Sequence, residues 1–134
     1  MSDDALRAIA TRGLADSLGI TFVEMTPDRI VATMPVDERT RQPFGILHGG
    51  ASIALAETVA SVGALLNVDR ETQVAVGQEI NGNHLRPIAS GTVTATGTPV
   101  HRGKSSQVWH IEIRDERERL VCISRCTLAV VPKP

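Results

Sequence analysis

Glu57 stands in the middle of the stretch IALAETVAS, with small and apolar residues before and after it. This composition predicts a helix that is apolar around most of its circumference, and burying a carboxylate there is costly. Carboxylates in apolar walls are a common mark of catalytic acids, bases and nucleophiles, so Glu57 is a candidate catalytic residue. The alternative is a partly exposed helix glutamate. Ser61 lies one turn later on the same face, placed either to bind the carboxylate or an attacking water, or only to pack.

The sequence LHGG directly precedes this apolar run and marks the predicted start of the helix. The first amides of a helix are unpaired donors in a region of positive potential, and glycine lets a ligand approach that backbone closely. An oxygen that acquires negative charge would be stabilised beside Gly49, which predicts an oxyanion hole. The alternative is that Gly49 and Gly50 only form a tight turn that His48 caps.

The spacing of His48 and Glu57 has a consequence for assembly. The two residues are nine positions apart, which on a helix means about 13 Å and opposite faces. They therefore cannot act on one carbonyl within a single chain. If both are catalytic, a second subunit must bring its Glu57 to the first subunit's Gly49, and a two-fold dimer does this twice. The spacing predicts at least a homodimer with shared active sites.

A basic turn, VHRGKSSQ, separates two predicted strands, and Arg86 adds a further cation in the segment NGNHLRP. Cations and backbone amides in such a turn can hold the phosphates of a large anionic ligand. A solvated hairpin tip is the alternative.

Composition excludes several classes of function. The chain has 134 residues, enough for one domain, and a formal net charge of −1, which gives no electrostatic attraction to nucleic acid or to an anionic membrane. Cys122 and Cys126 lie about 13 Å apart on one predicted strand, too far for a disulfide, and no residues show metal-ligand spacing. Free thiols and an N-terminus without a secretory signal lead us to expect a cytoplasmic protein.

The order of elements predicts how these residues are positioned. A helix over residues 1–18, beginning near Asp3, and two strands precede the long apolar helix, and four strands follow it. An antiparallel sheet wrapped around one small-sided helix accounts for this order, which makes the fold class α+β with a single domain over residues 1–134. The predicted bounds are 20–26 and 29–36 for the first strands, 49–67 for the central helix, and 72–82, 91–100, 105–115 and 119–131 for the last four strands.

Three segments, at 34–57, 79–87 and 101–113, together resemble the hotdog-fold acyl-CoA thioesterases, and the likeness extends from about Leu18 to Val131. It is closest to the PaaI-like branch that contains the hydrolases of 1,4-dihydroxy-2-naphthoyl-CoA and the proofreading thioesterases of enterobactin synthesis. The resemblance implies the hotdog fold, in which the sheet surrounds one central helix. It also implies dimers that commonly pair into homotetramers.

The resemblance implies roles for individual residues. Glu57 would be the catalytic carboxylate, as nucleophile or general base, and Ser61 would assist the water. Gly49 would donate its N–H to the thioester oxygen, with Gln42 and His48 beside the carbonyl and the sulfur. The coenzyme A arm would be bound at His84, Arg86, Gly103, Lys104 and Ser105. The branch favours aromatic acyl groups, for which an apolar slot would be lined by Phe44, Ile46, Leu47, Val59 and Val62.

The predicted function is therefore hydrolysis of acyl-CoA thioesters to free acid and coenzyme A, without metal or redox cofactor. An aromatic acyl group, of the hydroxybenzoyl or dihydroxynaphthoyl kind, is expected. Two alternatives stay open: a thioesterase acting on misacylated carrier protein, and a hotdog protein that binds acyl-CoA without turnover. A hotdog dehydratase or hydratase fits less well, because the spacing of Gln42, His48 and Glu57 differs from the motif that those enzymes use.

Overall fold

The computed structural model describes residues 1–134 and contains three helices and six strands. The strands begin and end within two residues of the predicted bounds. In chain order the elements are α1 (Asp3–Ala10), α2 (Leu14–Ser17), β1 (Thr21–Thr26), β2 (Arg29–Pro35), α3 (Gly49–Leu65), β3 (Gln73–His84), β4 (Thr92–Arg102), β5 (Ser106–Arg114) and β6 (Leu120–Pro132).

The N-terminal segment differs from the prediction of one helix over residues 1–18, because the helix is divided. Helix α1 ends at Ala10, and Gly13, with a φ of +65°, turns the chain into α2. Such a left-handed conformation strains residues that carry a Cβ, and it interrupts a right-handed helix. Ser2 caps α1, since its hydroxyl accepts the N–H of Ala5 at 3.1 Å.

Helix α3 begins at Gly49, as predicted, and ends at Leu65, two residues before the predicted end. His48 is its N-cap, with Nδ1 accepting the N–H of Gly50 at 2.8 Å. At the other end, the side chain of Asn67 donates to the carbonyl of Gly63 at 2.8 Å. This bond occupies a carbonyl that the helix termination leaves without an intrahelical donor.

All strand pairs are antiparallel, and the sheet order is β1-β2-β4-β5-β6-β3. The sheet wraps around α3, so the predicted α+β hotdog architecture is confirmed. Strand β3 is an edge strand of 12 residues whose outer edge pairs with no other strand, and a bulge interrupts its register between Gly77 and Glu79. Most of its residues are exposed in the protomer.

Helix α3 lies very close to the sheet because the residues between them are small. A Cβ added to Gly63 would come within 2.4 Å of the ring of Trp109, which is fully buried on β5. The indole N–H of Trp109 donates to Gln107 at 2.9 Å, and the amide of Gln107 donates to the carbonyl of Ala64 at 3.2 Å. The helix is thus held by close packing and by a buried hydrogen-bonded chain.

Cys122 and Cys126 are free and buried, which confirms that they do not form a disulfide with each other. Burial, reinforced by the negative charges of Glu57 and Glu79, raises the pKa of Cys126 to about 12. Its thiol is therefore a packing group rather than a nucleophile at neutral pH. None of the helices combines the length and the apolar character that crossing a bilayer requires.

Candidate active site

Glu57 lies on the face of α3 that points toward α1 and α2, and it lines a cavity of about 440 Å³. Its side chain is half-buried, and its Oε2 atom lies over Gly77, where an added Cβ would come within 2.4 Å. The carboxylate makes no hydrogen bond or ion pair within the protomer, and Ser61 lines the same cavity. A charged group in a mostly apolar cavity, with its oxygens free, is available to a ligand or to water.

The start of α3 forms a second half of the candidate site. Gly49 is the first residue of the helix, and its N–H has no acceptor within the protomer. The ring of His84 packs against it, since a Cβ on Gly49 would lie 2.8 Å from Nε2. Gly49 and His84 line a cavity of about 330 Å³ together with Gln42 and Arg86. A free amide of this kind is the donor that an oxyanion needs.

His48 has the capping function that the sequence left as an alternative. Its Nδ1 is occupied by the N–H of Gly50, which fixes the ring beside the helix start, and the side chain is exposed. The Nε2 atom makes no hydrogen bond in the protomer. The cap therefore leaves one ring nitrogen for contact with a ligand.

The loop between β2 and α3 holds the helix start in place, and its anchor, Thr40, is a residue that the sequence analysis did not select. Thr40 is buried, its hydroxyl donates to the carbonyl of Pro35 at 2.8 Å, and its carbonyl accepts the N–H of His48 at 2.8 Å. Gln42 closes a turn, since its Oε1 accepts the N–H of Phe44. In the sequence, nothing but the position of Thr40 within a charged loop pointed to its anchoring role.

The residues predicted to line an acyl slot are not gathered in one place within the protomer. Phe44 is 92% exposed at the tip of its turn and lines neither cavity. Ile46 and Leu47 line the cavity of Gly49, and Val62 lines that of Glu57. Placing Val59 in the slot was wrong, because its side chain is fully buried and faces the sheet, where Gly97 makes room for it.

The wall of the Glu57 cavity comes in large part from a segment to which the sequence analysis gave no function. Six of its twelve lining residues belong to the N-terminal segment, and they are Leu6, Ile9, Ala10, Arg12, Leu14 and Ala15. Their spacing is that of an ordinary amphipathic helix, so the sequence carried no signal that distinguished a cavity wall from a core contact.

The basic turn lies at the opposite end of α3 from His84 and Arg86. Gly103 donates its N–H to the carbonyl of Ser106 at 2.8 Å, while Lys104 and Ser105 are exposed at the hairpin tip. The neighbouring Arg102 forms an ion pair with Asp28 at 2.7 Å and also contacts Asn67, just beyond the helix. The two groups predicted to bind coenzyme A thus do not meet within one protomer.

The protomer therefore carries two incomplete constellations. Glu57 and Ser61 lie in one cavity, while Gly49, Gln42, His84 and Arg86 line the other. No group of three or more histidine, cysteine, aspartate or glutamate side chains is arranged to hold a metal ion. Together the two cavities present a carboxylate, a free backbone amide and several cations. These groups suit attack on a polarised carbonyl of an anionic ligand.

Comparison with known proteins agrees with this chemistry. The sequence pattern of the thioesterase superfamily matches residues 44–122. The chain is 61% identical to ComA2 of Bacillus subtilis, over 90% of this chain and 95% of that one. It is 48% identical to the 1,4-dihydroxy-2-naphthoyl-CoA hydrolase of Escherichia coli, over 96% of this chain and 93% of that one.

Solved structures show the same fold. A crystal structure of a thioesterase from Haemophilus influenzae superposes with a TM-score of 0.91 at 47% identity, covering 98% of this chain and 92% of that one. The family pattern spans more than half of the sequence, including Gly49 and Glu57. The chain belongs to the thioesterase superfamily.

Proposed function

We propose that this protein hydrolyses acyl-CoA thioesters with an aromatic acyl group, of the hydroxybenzoyl or dihydroxynaphthoyl kind, to the free acid and coenzyme A. The observation that carries the proposal is the Glu57 carboxylate, which has no partner in the protomer and lines an apolar cavity with Ser61. Relatives from Escherichia coli and Listeria monocytogenes, both named 1,4-dihydroxy-2-naphthoyl-CoA hydrolase, support the choice of acyl group. The free thiols suit a reducing cytoplasm.

The proposed reaction uses the two constellations together. The N–H of Gly49 donates a hydrogen bond to the thioester oxygen as negative charge develops on it, with Gln42 and His48 beside the carbonyl and the sulfur. Glu57 either removes a proton from water, which attacks the carbonyl carbon, or attacks that carbon itself to give an anhydride that water then hydrolyses. In both routes the C–S bond breaks and the coenzyme A thiolate takes up a proton. Ser61 holds the water, and no metal or redox cofactor takes part.

The two constellations meet only if a second subunit completes each site. We propose a two-fold dimer joined along the free edge of β3, which places Glu57 of one subunit opposite Gly49 of the partner subunit. Support comes from the unpaired 12-residue edge and its exposed residues, and from Glu57 lying directly above Gly77 on that strand. The hairpin residues Gly103–Ser105 and the partner's Arg86 then hold the coenzyme A arm from two sides. Two such dimers form the tetramer.

The test is release of free thiol from purified protein and the Glu57→Gln variant. The panel contains benzoyl-, 4-hydroxybenzoyl-, 1-hydroxy-2-naphthoyl-, hexanoyl- and palmitoyl-CoA. Gln keeps the shape of the side chain and removes its charge, so we expect a folded, assembled protein with kcat/KM reduced about 10²-fold or more. Turnover in the variant equal to that of the unmodified protein would refute the role of Glu57. Absence of hydrolysis in both proteins would refute the coenzyme A substrate and direct the same assay to acylated carrier protein.

A further inference from the structure

We propose that Arg12 recognises the acyl group by donating hydrogen bonds to an oxygen substituent on it. The α1–α2 segment thereby determines which acyl groups the site prefers. The inference rests on the proposed function, because it takes the cavity of Glu57 as the acyl cavity. It adds a residue and an element that lie outside the region matched by the family pattern, which begins at residue 44.

The cavity of Glu57 has the size and the lining of a small-molecule site. Its volume of about 440 Å³ lies within the range of small-molecule sites, and eight of its twelve lining residues are hydrophobic. Ile9 is 47% exposed and Leu14 is 63% exposed, and both large apolar side chains contribute to its wall. Apolar surface left open beside a carboxylate is suited to an apolar acyl group attached to a carbonyl at Glu57.

The wall of this cavity contains few polar side chains. Apart from Glu57, only Arg12, Thr58 and Ser61 are polar. The hydroxyl of Thr58 is occupied, since it donates to the carbonyl of Ala54 at 2.6 Å. Ser61 lies one turn from Glu57, at the reacting end. Arg12 therefore remains as the polar group available to the body of the acyl group.

The guanidinium of Arg12 is exposed and unoccupied. Six other arginines of the chain are paired with carboxylates, whereas Arg12 has no ion pair and no side-chain hydrogen bond in the protomer. No ion pair of 4.0 Å or less joins it to Glu57, although both line one cavity. A guanidinium donates hydrogen bonds and accepts none, so it selects hydroxyl or carboxylate oxygens over amino groups of the same size.

The position of Arg12 in the fold also favours contact with a ligand in this cavity. Arg12 belongs to the connection between α1 and α2, between Ala10 and Leu14, which both line the cavity. Gly13, at φ +65°, sets the turn that brings α2 back against α3. The corner of the helical pair thus carries the cation, and the two helices carry the apolar surface on either side.

The experiment measures kcat/KM for benzoyl-CoA, for the three hydroxybenzoyl-CoA isomers and for the matching aminobenzoyl-CoA isomers. We expect unmodified protein to prefer one hydroxybenzoyl isomer over benzoyl and over its amino counterpart by about 10-fold, the effect of one hydrogen bond to a charged group. In Arg12→Met, which keeps most of the length and loses the charge, the kcat/KM of that hydroxybenzoyl isomer relative to benzoyl-CoA falls to about 1. Arg12→Lys retains part of the preference.

Two controls separate this role from others. Arg117→Met removes an exposed arginine at the turn between β5 and β6 and leaves the preference intact. Arg86→Met, in the proposed coenzyme A site, lowers kcat/KM equally for all substrates. The affinity of the non-hydrolysable hydroxyphenacyl-CoA, compared with phenacyl-CoA, gives a second readout that follows the same pattern.

Several outcomes would overturn the inference. If Arg12→Met lowers kcat/KM equally for substituted and unsubstituted substrates, Arg12 contacts coenzyme A or a partner subunit instead. If the preference is the same in Arg12→Met and in unmodified protein, Arg12 is a solvated surface residue. In both cases the proposed hydrolysis still stands. If unmodified protein hydrolyses none of these thioesters and binds neither analogue, the proposed function and this inference fall together.

Discussion

At the scale of single residues, the position of the Glu57 carboxylate depends on the absence of a side chain beneath it. Gly77 lies under Oε2, and its bulged strand brings the backbone close to α3. The acid is thus placed by packing alone, since no hydrogen bond within the protomer orients it. A small change at Gly77 therefore moves the carboxylate of Glu57 without altering its chemical identity.

Gly77→Ala should reduce kcat by about 10-fold or more while leaving the folded state intact, because a Cβ there would come within 2.4 Å of Oε2 and displace the carboxylate. Gly82→Ala is the matched control on the same strand, since its Cβ would meet the side chain of Ile53 instead. Steady-state kinetics and thermal unfolding of both variants make the comparison. An equal loss of activity in the two would assign the effect to the strand rather than to Glu57.

The types and spacing of residues were sufficient to predict that α3 begins at Gly49 and contains Glu57. They did not show that Val59 is buried against the sheet or that Arg12 lines the cavity of Glu57. Val59 neighbours Glu57 in the sequence, and only the direction of the sheet decides that it faces Gly97. Arg12 belongs to a helix whose pattern is equally compatible with simple core packing. The packing of an element against a distant part of the chain is a long-range property. The local pattern of a single sequence does not show which surface will face that element.

At the scale of elements, α3 is fixed against β5 by close packing at a small residue and by a chain of buried hydrogen bonds. Gly63 admits the ring of Trp109, and Gln107 links that ring to the carbonyl of Ala64. The helix therefore has little freedom to rotate or shift. In the proposed mechanism, this rigidity holds the amide of Gly49 and the carboxylate of Glu57, which one helix carries, in fixed positions.

Gly63→Ala should destabilise the protein by about 1–3 kcal/mol, since the ring of Trp109 is rigid and enclosed and the added methyl group overpacks the core. Urea unfolding followed by far-UV circular dichroism measures the change. In a Trp109→Phe background the same substitution should cost less, because the smaller ring leaves room for the methyl group. Equal costs in the two backgrounds would show that Gly63 is needed for a reason other than this contact.

The turn between β5 and β6 gives a prediction on pH. Burial raises the pKa of Asp115, but hydrogen bonds from the N–H and guanidinium of Arg119 and from the N–H of Arg117 outweigh burial and hold it below its usual range. Its contribution to stability is then fully present above the unfolded value of about 3.9 and is lost as the pH falls through the lower folded value.

Asp115→Asn should therefore lower the urea midpoint at pH 7, and the gap between the variant and the unmodified protein should narrow as the pH falls below about 4. Glu38→Gln, at an exposed position without a side-chain hydrogen bond, serves as the control. It should leave the urea midpoint unchanged both at pH 7 and below about pH 4. A gap that stays constant down to the acid limit would mean that the carboxylate charge of Asp115 is not what stabilises this turn.

At the scale of the whole molecule, the protomer is one folded unit whose candidate site residues line two separate cavities. The order and bounds of the strands follow from alternating apolar residues and turn residues, which is why the sheet was predictable. The break between α1 and α2 was not predictable, because a single glycine such as Gly13 within a helical pattern does not by itself indicate a left-handed turn. The free edge of β3 was also beyond prediction, since the order of strands in the sheet depends on long-range pairing.

Mixing two inactive variants tests whether the sites are shared. Glu57→Gln removes the acid, and Arg86→Met damages the other constellation, so each homodimer should be impaired at both sites. After denaturation and refolding together, half of the dimers are mixed, and each mixed dimer has one unaltered site. We expect recovery of about a quarter of the activity of the unmodified protein. No recovery despite mixed dimers, shown by native mass spectrometry, would place the whole site within one subunit.

Trp109 gives the molecule an optical property. It is the chain's one tryptophan, and the chain has no tyrosine, so protein fluorescence arises almost entirely from this ring. The ring is fully buried where α3 meets β5, far into the interior of the protomer. Subunits that separate without unfolding keep the blue-shifted emission of a buried indole, whereas loss of the contact between helix and sheet shifts it to the red. The fold thus carries its own label-free reporter of unfolding, which dissociation of the subunits leaves unchanged.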